Sequence, residues 1–531
     1  MGGAAVAMLT GTALSLPIAL TPGLRTRLTT ALAERFDSEV EVKALRVSVL
    51  PSLRISGDGV VLRHRGRTDV PPLIAVQSFS AEATLWGLTG KPVHFRRVRL
   101  EGLEINIPPG GLDGDRDDLD DDEARAKELA TSGSNEAVSV DAPPRRAADT
   151  PGVRQSTPLI VDDLVSERAV LRILRRKAGK RPRVIEIHHL AMDDTGSNVP
   201  WRFSATLTIP TPPGRIETHG TFGPWNAEEP SRTALGAKYE FHDADLGTFD
   251  GIRGTLDSTG AFSGVLDRIE VDGETSVPDF ALADVGHALP LTTRFHAIVD
   301  GTSGNTWLRP VDARFLHTRL RATGAVVEPE GQDGHTIKLD VVMREGRIED
   351  VLWLAAKPRK PPLSGTLTLV TTLVLPPGKA DEEQRLQLNG SFAITQARFN
   401  TGNVQTKVNQ LSQKARGIRD EAPEQVASTL NGRFVMRGGV IRFSNVRFTV
   451  PGAQVNLSGR YLVDSEAVDF RGTAELDAKL SQMTGGVAAL FLKLVDPIVR
   501  HRDVTVLPLT VQGTAEQPEF RVDIRRALRP K

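Results

Sequence analysis

Apolar and polar residues alternate along most of this chain, a pattern typical of β-strands. In the stretch FRRVRLEGLEINIPPGG the alternation changes phase by one residue at Gly102. A bulge at Gly102 would keep all of the apolar side chains on one face of the strand. These side chains are Val98, Leu100, Leu103, Ile105 and Ile107. The sequence therefore predicts a strand with one apolar and one polar face.

The stretch GGVIRFSNVRFTVPGAQVNLSG repeats this arrangement, with its phase change at Ser444 and Asn445. Arg442, Arg447 and Asn456 are expected on the polar face. An apolar face that is kept through a phase change has to be covered, either by protein, as in a β-sandwich, or by lipid tails. The candidate residues for this face are Ile441, Phe443, Val446, Phe448, Val450, Val455 and Leu457.

The N-terminus carries no charged residue from Gly2 to Leu24. As a helix this segment would reach about 34 Å, enough to cross a bilayer core. We expect an uncleaved transmembrane anchor; a cleaved signal peptide and a buried core helix are the alternatives. The anchor residues would be Val6, Leu9, Leu14, Leu16, Ile18 and Leu20.

The next segment changes from a helical to a strand pattern. Leu24, Leu28, Leu32 and Phe36 recur at helical spacing, and alternation with period two begins at Val40. The sequence therefore predicts a short amphipathic helix followed by a β-region that continues to the prolines at 108 and 109.

Residues 110–157 are rich in acidic residues, then in Ser, Ala and Pro. Asp113, Asp115 and Asp117 match the start of a calcium-binding EF-hand loop. However, Asp118 and Ala124 stand where that loop needs its glycine and its bidentate acid. The composition favours a disordered insertion over a calcium site.

From Pro158 onward the chain is again mostly alternating, with glycine-centred units at uneven intervals. This pattern favours a long antiparallel meander with glycine where the backbone bends, and a series of β-sandwiches is the alternative. The glycines are Gly220, Gly273, Gly324, Gly390, Gly432, Gly459, Gly472 and Gly513.

Three segments interrupt the β-pattern. Residues 174–183 form a basic stretch, LRRKAGKRPR, which is either a solvated hairpin tip or a contact for anionic lipid headgroups. The sequence of residues 403–417 predicts a mostly polar helix that caps a sheet edge or joins two sheet segments. The third segment, from Leu480 to Ile498, predicts an amphipathic helix that packs on the sheet, lies at a membrane interface or plugs the groove.

Composition and motifs leave little room for catalysis. Lys+Arg and Asp+Glu both number 66, so no net charge favours nucleic acid, and there is no cysteine. The best candidate for a metal site, in EIHHLAMDD, places two adjacent histidines on opposite faces of a strand. Its residues are Glu186, His188, His189, Asp193 and Asp194. We predict no catalytic residue, metal site or cofactor, and no enzyme.

Several segments together resemble the AsmA-like family of Gram-negative envelopes, which is related to TamB and to bridge-like lipid-transfer proteins. They are RVSVLPSLRISGDGVVL, VRLEGLEINIPP, FSGVLDRIEVDGETSVPDFAL, GVIRFSNVRFTVPGAQVNLSGRYLVDSEAVDFRGTAELDAKLSQMTGG and TVLPLTVQGTAEQPEFRVDI. The resemblance implies a mainly β fold: an extended, coiled antiparallel sheet with a taco-like apolar groove, an N-terminal transmembrane helix and a few short amphipathic helices. It also implies an inner-membrane protein with most of its chain in the periplasm, linked to phospholipid transport and outer-membrane maintenance.

The expected organisation has five segments: an anchor (1–24), a helix and β-region (25–109), an insertion (110–157), a central extended sheet (158–477), and a C-terminal helix with closing strands (478–531). The expected partners are phospholipids and the inner membrane. As an alternative function, the chain would assist the assembly of outer-membrane or envelope proteins by β-strand addition. An extracellular β-rich binding module is a third hypothesis.

Overall fold

The computed structural model describes residues 22–48, 53–84, 86–87, 92–107, 159–174, 181–196, 199–249, 251–282, 287–329, 334–355, 360–400, 402–416, 426–476, 505–515 and 517–522. The described residues are mainly β and belong to one long mixed sheet. The chain divides into two compact units. Unit 1 contains the chain up to Thr208 with Glu217–Ala237 and Val265–Asp267, and unit 2 contains Ile209–Ile216, Lys238–Gly264 and the chain from Arg268 onward.

The strands are mostly 9–15 residues long. They are β1 (Ser38–Ser48), β2 (Arg54–His64), β3 (Ile74–Ala83), β4 (Val93–Glu101), β5 (Glu104–Ile107), β6 (Leu159–Ile173), β7 (Arg183–Thr195), β8 (Trp201–Pro210), β9 (Pro213–Phe222), β10 (Leu235–Asp245), β11 (Ile252–Arg253), β12 (Thr255–Val265), β13 (Arg268–Leu282), β14 (Leu289–Val299), β15 (Thr306–Phe315), β16 (Thr318–Val327), β17 (Thr336–Arg347), β18 (Leu363–Leu375), β19 (Gln387–Phe399), β20 (Ser428–Arg437), β21 (Val440–Val450), β22 (Ala453–Leu462), β23 (Ala467–Leu476), β24 (Thr505–Thr514) and β25 (Pro518–Val522). The α-helices are α1 (Pro22–Phe36), α2 (Ile348–Ala355), α3 (Glu382–Arg385) and α4 (Gly402–Ala415). Two single 3-10 turns lie at Pro230–Arg232 and Leu246–Thr248.

Unit 1 is built on a ladder from β1 to β8. Its pairs are antiparallel except that β4 and β5 both pair with β6 in parallel. The expectation of a purely antiparallel sheet is therefore wrong here, and the sheet is mixed. Parallel neighbours need a crossover of a dozen or more residues, and the 51 residues from 108 to 158 join β5 to β6.

The strands of unit 1 change phase at the same level of the ladder. In β2 the buried positions change from odd to even at Gly59, and the change between β4 and β5 falls at Gly102, as predicted. The same level contains Arg168 in β6, which lies opposite His188 at the bulge of β7. Gly59, Gly102 and Arg168 all have positive φ angles. Because neighbouring strands bulge together, they stay in register and one face of the unit remains apolar.

The helix predicted before the first strand is confirmed as α1, which packs on this apolar face. Leu28 of α1 belongs to one cluster of buried side chains and Phe36 contacts a second. Phe79 and Leu100 contact both clusters, so the apolar side chains are continuous across the level of the bulges.

Unit 2 contains an unbroken antiparallel ladder from β13 to β25. The phase change predicted at Ser444 and Asn445 is confirmed: the register shifts between Phe443 and Val446, and Asn445 has a φ of 50°. Arg442 and Arg447 lie on the polar face of the sheet, where Arg460 and Asn456 of β22 are their respective register partners.

Most of the recurrent glycines do not mark bends, which corrects the expectation from sequence. Among the eight, only Gly324 and Gly513 have positive φ angles. Gly273, Gly390, Gly432 and Gly459 lie on the apolar face, each opposite a phenylalanine of the adjacent strand. They leave space for the neighbouring ring.

Candidate functional site

The apolar face of unit 2 is formed by alternate residues of twelve successive strands. Directly facing pairs such as Leu339–Leu373, Leu373–Leu388 and Phe443–Gly459 continue across the ladder from β13 to β24. Each bulge restores the phase, so the same face stays apolar along the whole ladder.

Two helices cover one end of this face. Helix α2 packs its Ile348, Val351 and Leu354 against a buried cluster that includes Met343 and Leu367. Helix α4 packs its Val404 and Val408 against a second buried cluster, which includes side chains of β21, β22 and β23. The helix expected at residues 403–417 is therefore present, but it covers the face of the sheet and does not cap an edge.

Several of the sequence-predicted groove residues lie in this covered end. Phe448, Val450 and Val455 belong to the same buried cluster as α4, and Phe448 also contacts the ring of Phe399, with centroids 6.1 Å apart. Val446 is 5% exposed. These side chains are covered by protein, as in an ordinary hydrophobic core.

Beyond the helices, four rings form a phenylalanine cluster in the middle of the face: Phe392, Phe434, Phe443 and Phe470. Ring centroids lie 6.0 Å apart for Phe392–Phe443, 6.4 Å for Phe434–Phe443 and 5.6 Å for Phe443–Phe470. All four side chains are only half-buried. Phe434, Phe443 and Phe470 lie outside both buried clusters of this unit.

Glycines on adjacent strands make the phenylalanine cluster possible. A Cβ at Gly459 would lie 2.6 Å from Cγ of Phe470, and one at Gly432 would lie 3.3 Å from Cε1 of Phe392. Aromatic rings can therefore lie against bare backbone at this level, which leaves a shallow apolar surface.

The face continues past the phenylalanine cluster to Ile441, which lies directly opposite Tyr461. Both side chains are half-buried. Burial raises the pKa of the Tyr461 hydroxyl, and the carboxylates of Glu466 and Glu383 raise it further. Tyr461 therefore stays neutral at physiological pH and adds no charge to this end of the face.

The predicted residues of unit 1 lie in a covered core. Val98, Leu103 and Ile107 are buried, while Leu100 and Ile105 are half-buried and pack against the buried clusters. The segment after β9 adds to this core, because Trp225 contacts the ring of Phe36 in α1 at 5.4 Å. Sequence reasoning missed this contact, since nothing local links residues so far apart in the chain.

The two histidines of the candidate metal cluster form hydrogen bonds with other side chains. The register of β7 shifts between Ile187 and His189, and both histidines are exposed, so the expected alternation of faces at this pair is not observed. His188 Nε2 lies 2.7 Å from the hydroxyl of Thr208, and His189 Nδ1 lies 2.9 Å from a carboxylate oxygen of Glu167. In the described part of the chain, no three ligand side chains are grouped as a metal site.

Four predicted features fall outside the described residues: the anchor with Val6, Leu9, Leu14, Leu16, Ile18 and Leu20, the insertion at 110–157, most of the basic stretch at 174–183, and the helix between Leu480 and Ile498. Among the helices that the structure does describe, none combines the length and apolarity needed to cross a bilayer.

The fold and this face define a class of protein: a long mixed sheet with an apolar face that helices cover only at one end in unit 2. Comparisons with family models, with characterised proteins and with solved structures return no match to this chain.

Proposed function

We propose that this chain shields lipid acyl chains on the apolar face of unit 2, at the phenylalanine cluster and the strand ends beyond it. The observation that carries the proposal is the half-buried state of these four rings on a face that α2 and α4 cover at one end only. A contiguous apolar patch of this kind marks an interaction site in a folded protein.

An acyl chain fits this face better than a polar ligand does. The described side chains of the face are mostly rings and aliphatic groups. The hydroxyls of Thr275, Thr293 and Thr371 have hydrogen-bond partners within the sheet, and the hydroxyl of Tyr461 lies at the end of the face. Moving a sixteen-carbon tail out of water removes about fifteen methylenes from solvent, worth roughly 12 kcal/mol in all. An open apolar surface lowers the free-energy barrier to moving a lipid through water, because it covers the acyl chain. This function requires no catalytic residue or cofactor.

The resemblance to AsmA-like proteins supports the wider setting of this proposal. In that setting the N-terminal segment anchors the chain in the inner membrane, the sheet lies in the periplasm as a coiled groove, and the protein supports phospholipid transport to the outer membrane. A role in assembling outer-membrane proteins by strand addition is the competing proposal.

Photo-crosslinking tests the acyl-chain proposal directly. We expect a photoreactive residue at Phe443 to crosslink phospholipid in cells, and one at Phe448 to crosslink within the chain under α4. A third at Lys338, which is exposed on the polar face of β17, should give no acyl-chain adduct.

A charge placed on the face gives a second test. Phe443→Asp should lower the amount of phospholipid that copurifies with the chain. An acyl chain that covers the new carboxylate would remove its water, which costs free energy. Lys338→Asp is the matched control and should leave the lipid content unchanged. Copurifying lipid that is equal in both variants, with no adduct at Phe443, would refute the proposal, and crosslinks to nascent barrel proteins in place of lipid would favour the assembly role.

A further inference from the structure

The polar face of β20–β23 carries an unusual excess of positive charge. These four strands place six arginines on that face and only two acids, Asp469 and Glu475. The six minus two give a local net charge of +4 in a chain with no net charge overall. The arginines, all exposed, are Arg433, Arg437, Arg442, Arg447, Arg460 and Arg471.

Elsewhere on the polar face of unit 2, several charges are matched across neighbouring strands, although Arg314 faces Arg319. Arg294 lies 2.6 Å from a carboxylate oxygen of Glu274, and Arg321 lies 2.7 Å from one of Asp312. Facing ion pairs of this kind stabilise a sheet modestly.

On β20–β23 this matching fails. Within the described residues, no ion pair involves Arg433, Arg437, Arg442 or Arg447, and Asp469 is shared by the two remaining arginines at 3.6 and 4.0 Å. Arg442 also stands directly opposite Arg460. Like charges in facing positions destabilise a sheet, so folding alone gives no reason for this arrangement.

Exposed valines accompany the arginines. Val435, which is 39% exposed, lies opposite Arg442. Val370, which is 50% exposed, lies opposite Ser391, whose other neighbour is Arg433. The described side chains of β18–β23 on this face include no aromatic ring that could stack on a base.

We propose that the polar face of β20–β23 docks on the headgroups of an anionic lipid bilayer. Arg442 and Arg460 face each other across neighbouring strands, about 5 Å apart, and the other four arginines surround this pair on the same face, which presents a group of cations to lipid phosphates. The exposed valines lie at the same surface and meet the boundary between headgroups and acyl chains. The basic surface and the acyl-chain site occupy opposite faces of the same strands and act independently.

A single fluorescent reporter tests this docking in the full chain, because the sequence has no cysteine that would compete for the label. An environment-sensitive dye at Ser391→Cys lies beside Arg433 on the basic surface. Its emission should shift to the blue with vesicles of phosphatidylglycerol and phosphatidylcholine in equal parts, and not with phosphatidylcholine alone. A dye at Ser276→Cys, on the polar face of β13, should respond to neither.

Removing four charges should abolish the response. In the variant R433Q/R442Q/R447Q/R460Q, the anionic lipid needed for the half-maximal shift should rise several hundredfold, at roughly fivefold for each arginine. The matched control R268Q/R314Q/R319Q/R344Q loses the same charge on β13 and β15–β17 and should keep the wild-type response.

Three results would overturn the docking proposal: no shift at Ser391, an equal shift with neutral vesicles, or a shift that single-stranded DNA produces more strongly than vesicles do. The last result would indicate a soluble polyanion. The acyl-chain adduct at Phe443 should persist in the quadruple variant, so failure of the docking surface and failure of the proposed function give different results.

Discussion

Both units keep one face of the sheet apolar by means of bulges, but that face is covered to a different extent in each unit. In both, bulges return the alternation to phase so that one face of the sheet stays apolar. In unit 1, Leu28 of α1 and the Trp225 segment pack on that face, and two buried clusters join through Phe79 and Leu100. In unit 2, α2 and α4 cover one end and leave the phenylalanine cluster half-buried.

This difference shows that an apolar β-face is not by itself a site. Alternating strands are necessary for either outcome, because a protein core and a lipid surface need the same side chains. What separates the two outcomes is the presence of a covering element. The candidate residues of unit 1 therefore stabilise the fold, whereas Ile441 and Phe443 remain candidates for function.

The largest expected effect contrasts the covered and open parts of unit 2. Phe448→Ala should lower the free energy of unfolding by about 3–5 kcal/mol, as for a buried phenylalanine. Phe443→Ala should cost only about 1–2 kcal/mol, since part of its ring already contacts solvent. Urea unfolding of both variants measures the difference. Equal losses would mean that Phe443 is also core, and would remove the distinction on which the proposed site depends.

The second prediction compares an aliphatic residue in each unit. Ile55, which is 0% exposed, lies in the core of unit 1, whereas Leu339 is half-buried on the open face of unit 2. Ile55→Ala should destabilise its unit by about 2–5 kcal/mol, and Leu339→Ala by about 1 kcal/mol. Hydrogen exchange resolved by segment reports each unit separately. A larger loss at Leu339 would contradict the open face.

The third prediction concerns glycines that lie against aromatic rings. In unit 1, a Cβ at Gly57 would clash with the ring of Phe79, which contacts both buried clusters. In unit 2, a Cβ at Gly273 would lie 2.6 Å from the hydroxyl of Tyr239 and 2.9 Å from Cζ of Phe295, on the part of the face that no buried cluster includes. Gly57→Ala should cost about 2–3 kcal/mol and Gly273→Ala about 1 kcal/mol, because the second ring is free to move.

Thermal unfolding of the two glycine variants measures these costs, and a second substitution provides the control. Phe295→Leu in the Gly273→Ala background should recover part of the loss, because it makes room on the Phe295 side of the new methyl group and leaves the contact with the Tyr239 hydroxyl. If it does not, the cost comes from the backbone or from the Tyr239 hydroxyl, and not from the Phe295 ring.

The smallest expected effect is a pH dependence in unit 1. His64 is 5% exposed, and its pKa is lowered by burial and then by the charge of Arg65, against a smaller opposing effect of Asp37. The unfolded chain therefore binds a proton near its ordinary pKa of about 6.5 while the folded chain does not. Stability contributed by the neutral ring is present above that pH and falls as the pH drops below it.

Hydrogen exchange at pH 7.5 and 5.5 checks this sign. Segments of β2 and β3 should lose protection at the lower pH in the wild type, and His64→Gln should reduce that loss. A gain in protection on acidification would show that a favourable contact of the charged ring outweighs its burial.

The sequence by itself determined which residues share a face. Alternation with period two predicted the strands. A phase change at Gly102, or at Ser444 and Asn445, predicted each bulge, because a one-residue shift without a bulge would expose every apolar side chain beyond it. The helix from Pro22 to Phe36 was equally clear from its spacing. These features are local, so neighbours along the chain suffice to predict them.

Only the tertiary structure decided what covers each face. Phe443 and Phe448 lie in the same kind of alternating sequence, and nothing in the neighbouring sequence shows that α4 packs over Phe448 and not over Phe443. The parallel pairing of β6 and the space that glycines leave for rings depend likewise on strands that are distant in sequence or paired across the ladder. The excess of arginine on β20–β23 also becomes visible only when four strands stand side by side, because each strand alone carries one or two cations and the chain as a whole carries no net charge.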